Sequence, residues 1–138
     1  MGKKELVREA LEARKQSYCP YSGFAVGAAL LCGDGTVFRG CNIENAAYPA
    51  TNCAERTAMF KAVSEGNTDF RAIAIVGGPK GEEPRDFCAP CGVCRQVMAE
   101  FCDPETFRII LMNGDGEIRE YLLKELLPLG FTGKALGK

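Results

Sequence analysis

Residues 70–78 read FRAIAIVGG, residues 90–101 read PCGVCRQVMAEF and residues 106–113 read TFRIILMN. The outer two are short apolar runs, the pattern of buried strands. The middle segment is long enough for a helix. It places Val93, Val97 and Met98 on an inward face and Pro90 at its entry. Strand, helix and strand in this order form a crossover, which pairs the two strands in parallel and turns right-handed. No other feature restricts the fold as much.

The flanking segments extend this unit. Residues 4–16, KELVREALEARKQ, place Leu6, Val7, Ala10 and Leu11 on one helical face with charges opposite. FAVGAALLC (residues 24–32) reads as a buried strand, GDGT as a tight turn and VFRGCNI (residues 37–43) as a returning strand, so the pair is a hairpin. ENAAYPATN is irregular. CAERTAMFKAVSEG (residues 53–66) is a second helix, with Ala54, Ala58, Met59 and Ala62 at helical spacing and Gly66 as its stop. After the crossover, GDGE is a turn and IREYLL a short strand or helix start. The expected architecture is α/β: a three-layer α-β-α sandwich, with a mixed sheet of about five strands and helices on both faces. No linker or internal repeat divides residues 1–138, which are expected to form one domain.

The formal net charge is −1 and no basic run is present, which argues against nucleic acid as a partner. No stretch approaches the ~20 apolar residues of a membrane span. The charged N-terminus has no apolar core of a signal peptide, so a cytoplasmic location is expected. The eight cysteines therefore need a reason other than a secreted disulfide framework. Cys19, Cys32, Cys41 and Cys102 lie beside apolar or turn residues and read as small buried hydrophobes.

The others carry chemistry. Two helices begin with cysteines, one at Cys53 and one at Cys91 and Cys94. Free N–H groups and partial positive charge at helix starts favour thiolates. Cys91 and Cys94, three apart, share a helical face. If the two starts meet, three thiolates converge. The sequence holds no histidine, so this is a thiolate site. Structural zinc takes four protein ligands, whereas three leave a position for water. Glu55 follows Cys53 by two residues, and a carboxylate beside such a zinc is a general base. Residues two apart on a helix point away from each other. Cys53 must therefore sit at the cap or in the first turn. Three thiolates on a divalent cation leave a net negative charge, which Arg56 is placed to offset by hydrogen bonding to sulfur; Arg95, directly after Cys94, is a second candidate. Cys88 creates a competing Cys-x-x-Cys frame with Cys91 and is open as an alternative or fourth ligand.

Cys-Ala-Glu followed by Pro-Cys-x-x-Cys resembles the zinc deaminases. YSGFAVGAAL, GCNIENAAYPATNCAERTA, APCGVCRQ and a closing LLPLGF together resemble the small homotetrameric cytidine deaminases, in order and spacing along nearly the whole chain. The resemblance implies one Zn²⁺ per subunit on Cys53, Cys91 and Cys94, with Glu55 as the catalytic acid/base. It implies that Phe24 stacks on a pyrimidine ring and that Asn42 and Glu44 hold the ribose 3′-hydroxyl. The Ala54 backbone and Glu55 would contact the base. Tyr48 and Phe131 would complete pockets across subunit boundaries. The implied reaction is deamination of cytidine and 2′-deoxycytidine in pyrimidine salvage. A deaminase of an aminoacyl-nucleoside antibiotic, a non-catalytic zinc module and a nucleic-acid editing enzyme are the competing expectations.

Overall fold

The computed structural model describes residues 1–138. Helix α1 (Lys3–Arg14) is followed by strands β1 (Phe24–Cys32) and β2 (Val37–Cys41), helix α2 (Ala54–Ser64) and strand β3 (Phe70–Pro79). Helix α3 (Gly92–Phe101), strands β4 (Arg108–Met112) and β5 (Ile118–Leu122) and the short helix α4 (Leu123–Leu126) complete the order. The sheet runs β2-β1-β3-β4-β5. The hairpin and the crossover expected from the sequence are both present: β1 pairs antiparallel with β2, and β3 pairs parallel with β4, Ile73 opposite Ile109. β1 also pairs antiparallel with β3, and β4 with β5.

Period-two alternation sorts the sheet into two buried faces. Leu30, Ile73, Ile75, Ile109 and Leu111 join Ala58, Met59 and Ala62 of α2 and Met98 of α3 in the larger core. Ala29, Ala72, Ala74, Val76 and Ile110 meet Leu6, Val7 and Ala10 of α1 on the other side. This is the three-layer sandwich. No helix is long and apolar enough to cross a membrane.

Glycine sets how close a helix can lie. A Cβ on Gly40 would stand 2.6 Å from Ala58 N, against the backbone of α2. Gly40→Ala is therefore expected to push α2 off β2 and to cost ~1–3 kcal/mol, as overpacking does elsewhere. Urea unfolding with zinc present measures it; an unchanged midpoint would show that the helix accommodates a methyl group.

Three local expectations are corrected. The second hairpin strand ends at Cys41, not Ile43, because Asn42 turns its amide inward onto β1: Oδ1 accepts Val26 N–H at 2.9 Å and Nδ2 donates to Phe24 O at 2.8 Å. α3 begins at Gly92 with Cys91 as its N-cap, two residues after Pro90, where the sequence placed its entry. Val93 is 57% exposed rather than facing inward. Cys94 and Met98, four apart and fully buried, occupy the inward face and leave Val93 outside.

Candidate metal centre

The starts of α2 and α3 meet. Cys53 and Cys91 are the N-cap residues, both extended (φ −75°, ψ 157° and φ −68°, ψ 167°). The extended cap lets Cys53 and Glu55 approach one cleft despite their helical offset. Cys53 Sγ lies 3.8 Å from Cys91 Sγ, which lies 3.5 Å from Cys94 Sγ. All three sulfurs lie within 4.8 Å of one another. A tetrahedron with ~2.3 Å zinc–sulfur bonds has S···S edges of roughly 3.8 Å. The spacing and the soft donor set fit zinc, and the cluster can coordinate it.

The local electrostatics favour a thiolate at Cys53. Hydrogen bonding from the Cys94 thiol, then from Arg56 and Cys91, holds Cys53 down to about 5. Cys94 moves upward because it keeps the proton in that bond and because it is buried. A bound cation would take the place of this shared proton. Arg56 Nη2 lies 3.2 Å from Cys53 Sγ. Arg95 makes no such contact with sulfur. Its Nε donates to Pro90 O and its Nη1 to Leu126 O, both at 2.8 Å. That arginine braces the entrance to α3 from outside.

Glu55 is 4% exposed. Burial, with a smaller contribution from the Cys53 thiolate, pushes its carboxyl from 4.5 up to about 7. A group raised on folding costs nothing below its unfolded value and its full amount above the folded one. In zinc-free protein, Glu55→Gln is thus expected to raise stability at pH 8 by up to ~3 kcal/mol and to change nothing at pH 4. Urea unfolding of chelator-treated protein at the two pH values checks it, and a loss of stability at pH 8 would contradict it.

Glu55, Cys53 and Cys91 border a cleft of about 320 Å³, with Phe24 on the wall and Asn42, Glu44 and Ala54 also on its lining. Phe24 opens β1 and is 41% exposed, an aromatic face left for a ligand. Asn42 is buried, and its amide also takes a hydrogen bond from Ser17 Oγ. Glu44 accepts the Tyr21 and Ser22 N–H groups, each at 3.0 Å, and the Ser22 hydroxyl. These bonds, the Ser22 hydroxyl foremost, hold its carboxylate below the usual range. Asn42 and Glu44 thus shape the loop before β1 besides facing the cleft. Ser22 is a cleft residue absent from the sequence reading, and a lone serine in a turn carries no signal for it.

Cys88 also borders the cleft but lies outside the sulfur cluster. Burial pushes its thiol up to about 12. Two residues stand away. Tyr48 is 74% exposed, edge-on to Tyr21, in a neighbouring hollow that shares Ser22, Glu44 and Thr51 with the cleft. Phe131 is 62% exposed over the outer face of α3, where Gln96 bonds its carbonyl. Within one chain neither reaches the cleft.

An α/β sandwich whose two helix starts bring three thiols together in a zinc-competent cluster, with the buried Glu55 carboxyl alongside, has the make-up of the zinc-deaminase class. Residues 2–110 match the sequence profile described as the cytidine and deoxycytidylate deaminase zinc-binding region. The chain is 54% identical over 134 residues to the cytidine deaminase of Halalkalibacterium halodurans, covering 97% of each. It is 36% identical over 110 residues to the blasticidin-S deaminase of Bacillus cereus, covering 78% of this chain and 76% of that one. The crystal structure of cytidine deaminase from Burkholderia pseudomallei superposes with a TM-score of 0.85 at 47% identity, covering 95% of this chain and all of that one. The chain belongs to the cytidine and deoxycytidylate deaminase family.

Proposed function

We propose that this protein deaminates cytidine and 2′-deoxycytidine hydrolytically to uridine and 2′-deoxyuridine, with release of ammonia, as a cytoplasmic enzyme of pyrimidine salvage built from one domain. The observation that carries the reading is the buried Glu55 carboxyl in one cleft with Cys53 and Cys91, two of the three clustered thiols. Cys53, Cys91 and Cys94 hold one zinc ion per chain. When bound, the ion supplies the Lewis acidity that makes water a nucleophile at neutral pH.

The remaining steps belong to the chain. Phe24 lies against the pyrimidine ring, with the Ala54 backbone and Glu55 at its edge. Glu55 takes the proton lost by the attacking water and delivers it to N3. It then carries a proton to the departing amino group, so ammonia leaves and a carbonyl remains at C4. A carboxyl raised towards neutrality suits both receipt and release of that proton. Asn42 and Glu44 bind the ribose 3′-hydroxyl. No lysine or arginine lines the cleft, and Glu44 and Glu55 do, so a free nucleoside fits and a nucleotide phosphate meets only negative charge.

Tyr48 and Phe131 serve neighbouring copies in a homotetramer. What supports this is an exposed apolar surface on the outer side of α3, where Phe60, Val93, Phe131 and Leu136 lie together. Ammonia release from cytidine, with and without a zinc chelator, tests the activity. Chelation is expected to abolish turnover and added zinc to restore it. Faster turnover of blasticidin S than of cytidine would move the substrate to the antibiotic, and inert protein carrying a full zinc complement would overturn the reading.

A further inference from the structure

Helix α2 starts without the usual side-chain cap. Cys53 holds the N-cap position but makes no capping hydrogen bond, because its sulfur faces Cys91 and Arg56. α3 is different, since Cys91 Sγ accepts the Cys94 N–H at 3.5 Å. A missing cap costs a helix start about 1 kcal/mol, and the first turn is where helices fray. Yet the first turn of α2 carries Cys53, Glu55 and Arg56. Some other contact has to hold it.

Thr57 provides one. Its hydroxyl lies 2.9 Å from Cys41 O and 3.1 Å from Cys53 O, and it donates to one or the other. Asn52 Nδ2 donates to the same oxygen at 3.2 Å. Asn52 is itself anchored, exchanging both backbone hydrogen bonds with Ile43 at 2.9 Å. The end of β2, the residue before the N-cap and the first turn of α2 therefore converge on one hydroxyl. Gly40 permits the close approach that makes this reach possible.

We infer that Thr57 and Asn52 form a positioning pair that fixes the Cys53 backbone and thereby holds the Cys53 sulfur within the metal cluster. Thr57 touches neither the cluster nor the reacting atoms; it acts through the carbonyls on either side of the loop. Loss of its hydroxyl leaves the Asn52 amide and the Cys41 carbonyl short of a partner and loosens the cap residue, whose carbonyl then keeps only the Thr57 N–H at 3.0 Å. Partners of this kind, one step removed from the ligands, typically change metal affinity or activity by ~10–100-fold.

The inference rests on the zinc reading, and the test separates the two. Thr57→Val keeps the shape and removes the hydroxyl, whereas Thr57→Ser keeps the hydroxyl and removes the methyl. The measurement is the rate at which zinc passes from the intact holoenzyme to an excess of a chromophoric chelator. Thr57→Val is expected to release zinc ~10–100-fold faster, with Thr57→Ser close to wild type. An unchanged rate in Thr57→Val overturns the inference, and so does an equal acceleration in both variants, which would assign the effect to methyl packing. If Thr57→Val does not fold, Asn52→Ala is the second probe: faster release supports the pair and a wild-type rate overturns it. Wild-type protein that binds no zinc would sink the zinc reading and this inference together. A zinc-loaded wild type with an indifferent Thr57→Val would sink this inference alone.

Discussion

Glu55→Gln is expected to reduce cytidine turnover by ~10²–10⁴-fold, the usual cost of a lost acid/base group, while zinc stays bound. Glutamine keeps the shape of the side chain and most of its hydrogen bonding, so it separates proton transfer from packing. Glu55 is not one of the three clustered thiols, and metal content has no reason to follow it. Its site is 4% exposed, so bulk water cannot easily replace the missing carboxyl. The same substitution removes a buried carboxylate and should make the zinc-free protein more stable at pH 8. Lost activity beside gained stability is the signature of a group kept for chemistry rather than for folding. Elemental analysis and steady-state rates on one preparation decide the matter. Near-normal turnover with zinc bound would remove Glu55 from the mechanism.

The strands were readable where apolar runs were continuous and ended in turns. β1 matches its sequence boundaries at Phe24 and Cys32, and β3 extends one residue beyond its expected end to Pro79. Both lie inside the sheet, so burial dictates their composition directly. The crossover was readable because strand–helix–strand order leaves few topologies. The start of α3 was less so. Pro90 suits a first helical position, but Cys91 caps the helix with its own sulfur and moves the start to Gly92. Cap position depends on where a thiol has to point, which no local propensity records.

The site divides in the same way. Cys53, Glu55, Cys91 and Cys94 were readable because their chemistry sets their spacing. Arg56 was the preferred partner of the sulfurs along the chain, with Arg95, directly after Cys94, as a second candidate. The fold separates them, sending one guanidinium to sulfur and the other to the Pro90 and Leu126 carbonyls. The structural duties of Asn42 depend on contacts with Ser17, Phe24 and Val26, which only tertiary structure brings together. Tyr48 and Phe131 were assigned by resemblance alone. Their distance from the cleft within one chain makes any role for them a property of an assembly.

Removal of any one clustered thiol is expected to have the largest effect of all. Cys53→Ala, Cys91→Ala and Cys94→Ala should each lose zinc and all measurable activity, whereas Cys88→Ala should keep both. A zinc site built from three thiolates has no protein ligand to spare, and an incomplete set cannot hold both the metal and its geometry. Cys91 is the cleanest arm because it is exposed, so its truncation leaves little cavity. Cys94 is fully buried, and Cys94→Ser is the better partner there, since it fills the space while replacing thiolate by a poor ligand. Cys88 is the control that gives the series its meaning. It borders the same cleft, yet its sulfur lies outside the group of three that fall within 4.8 Å of one another. Sulfur counting on the cobalt-substituted protein gives an independent reading. Three sulfurs agree with a position open to water, whereas four would recruit Cys88, close the coordination sphere and turn a catalytic site into a structural one. Should Cys88→Ala lose the metal while Cys94→Ala retains it, the ligand frame lies one cysteine earlier than the geometry indicates.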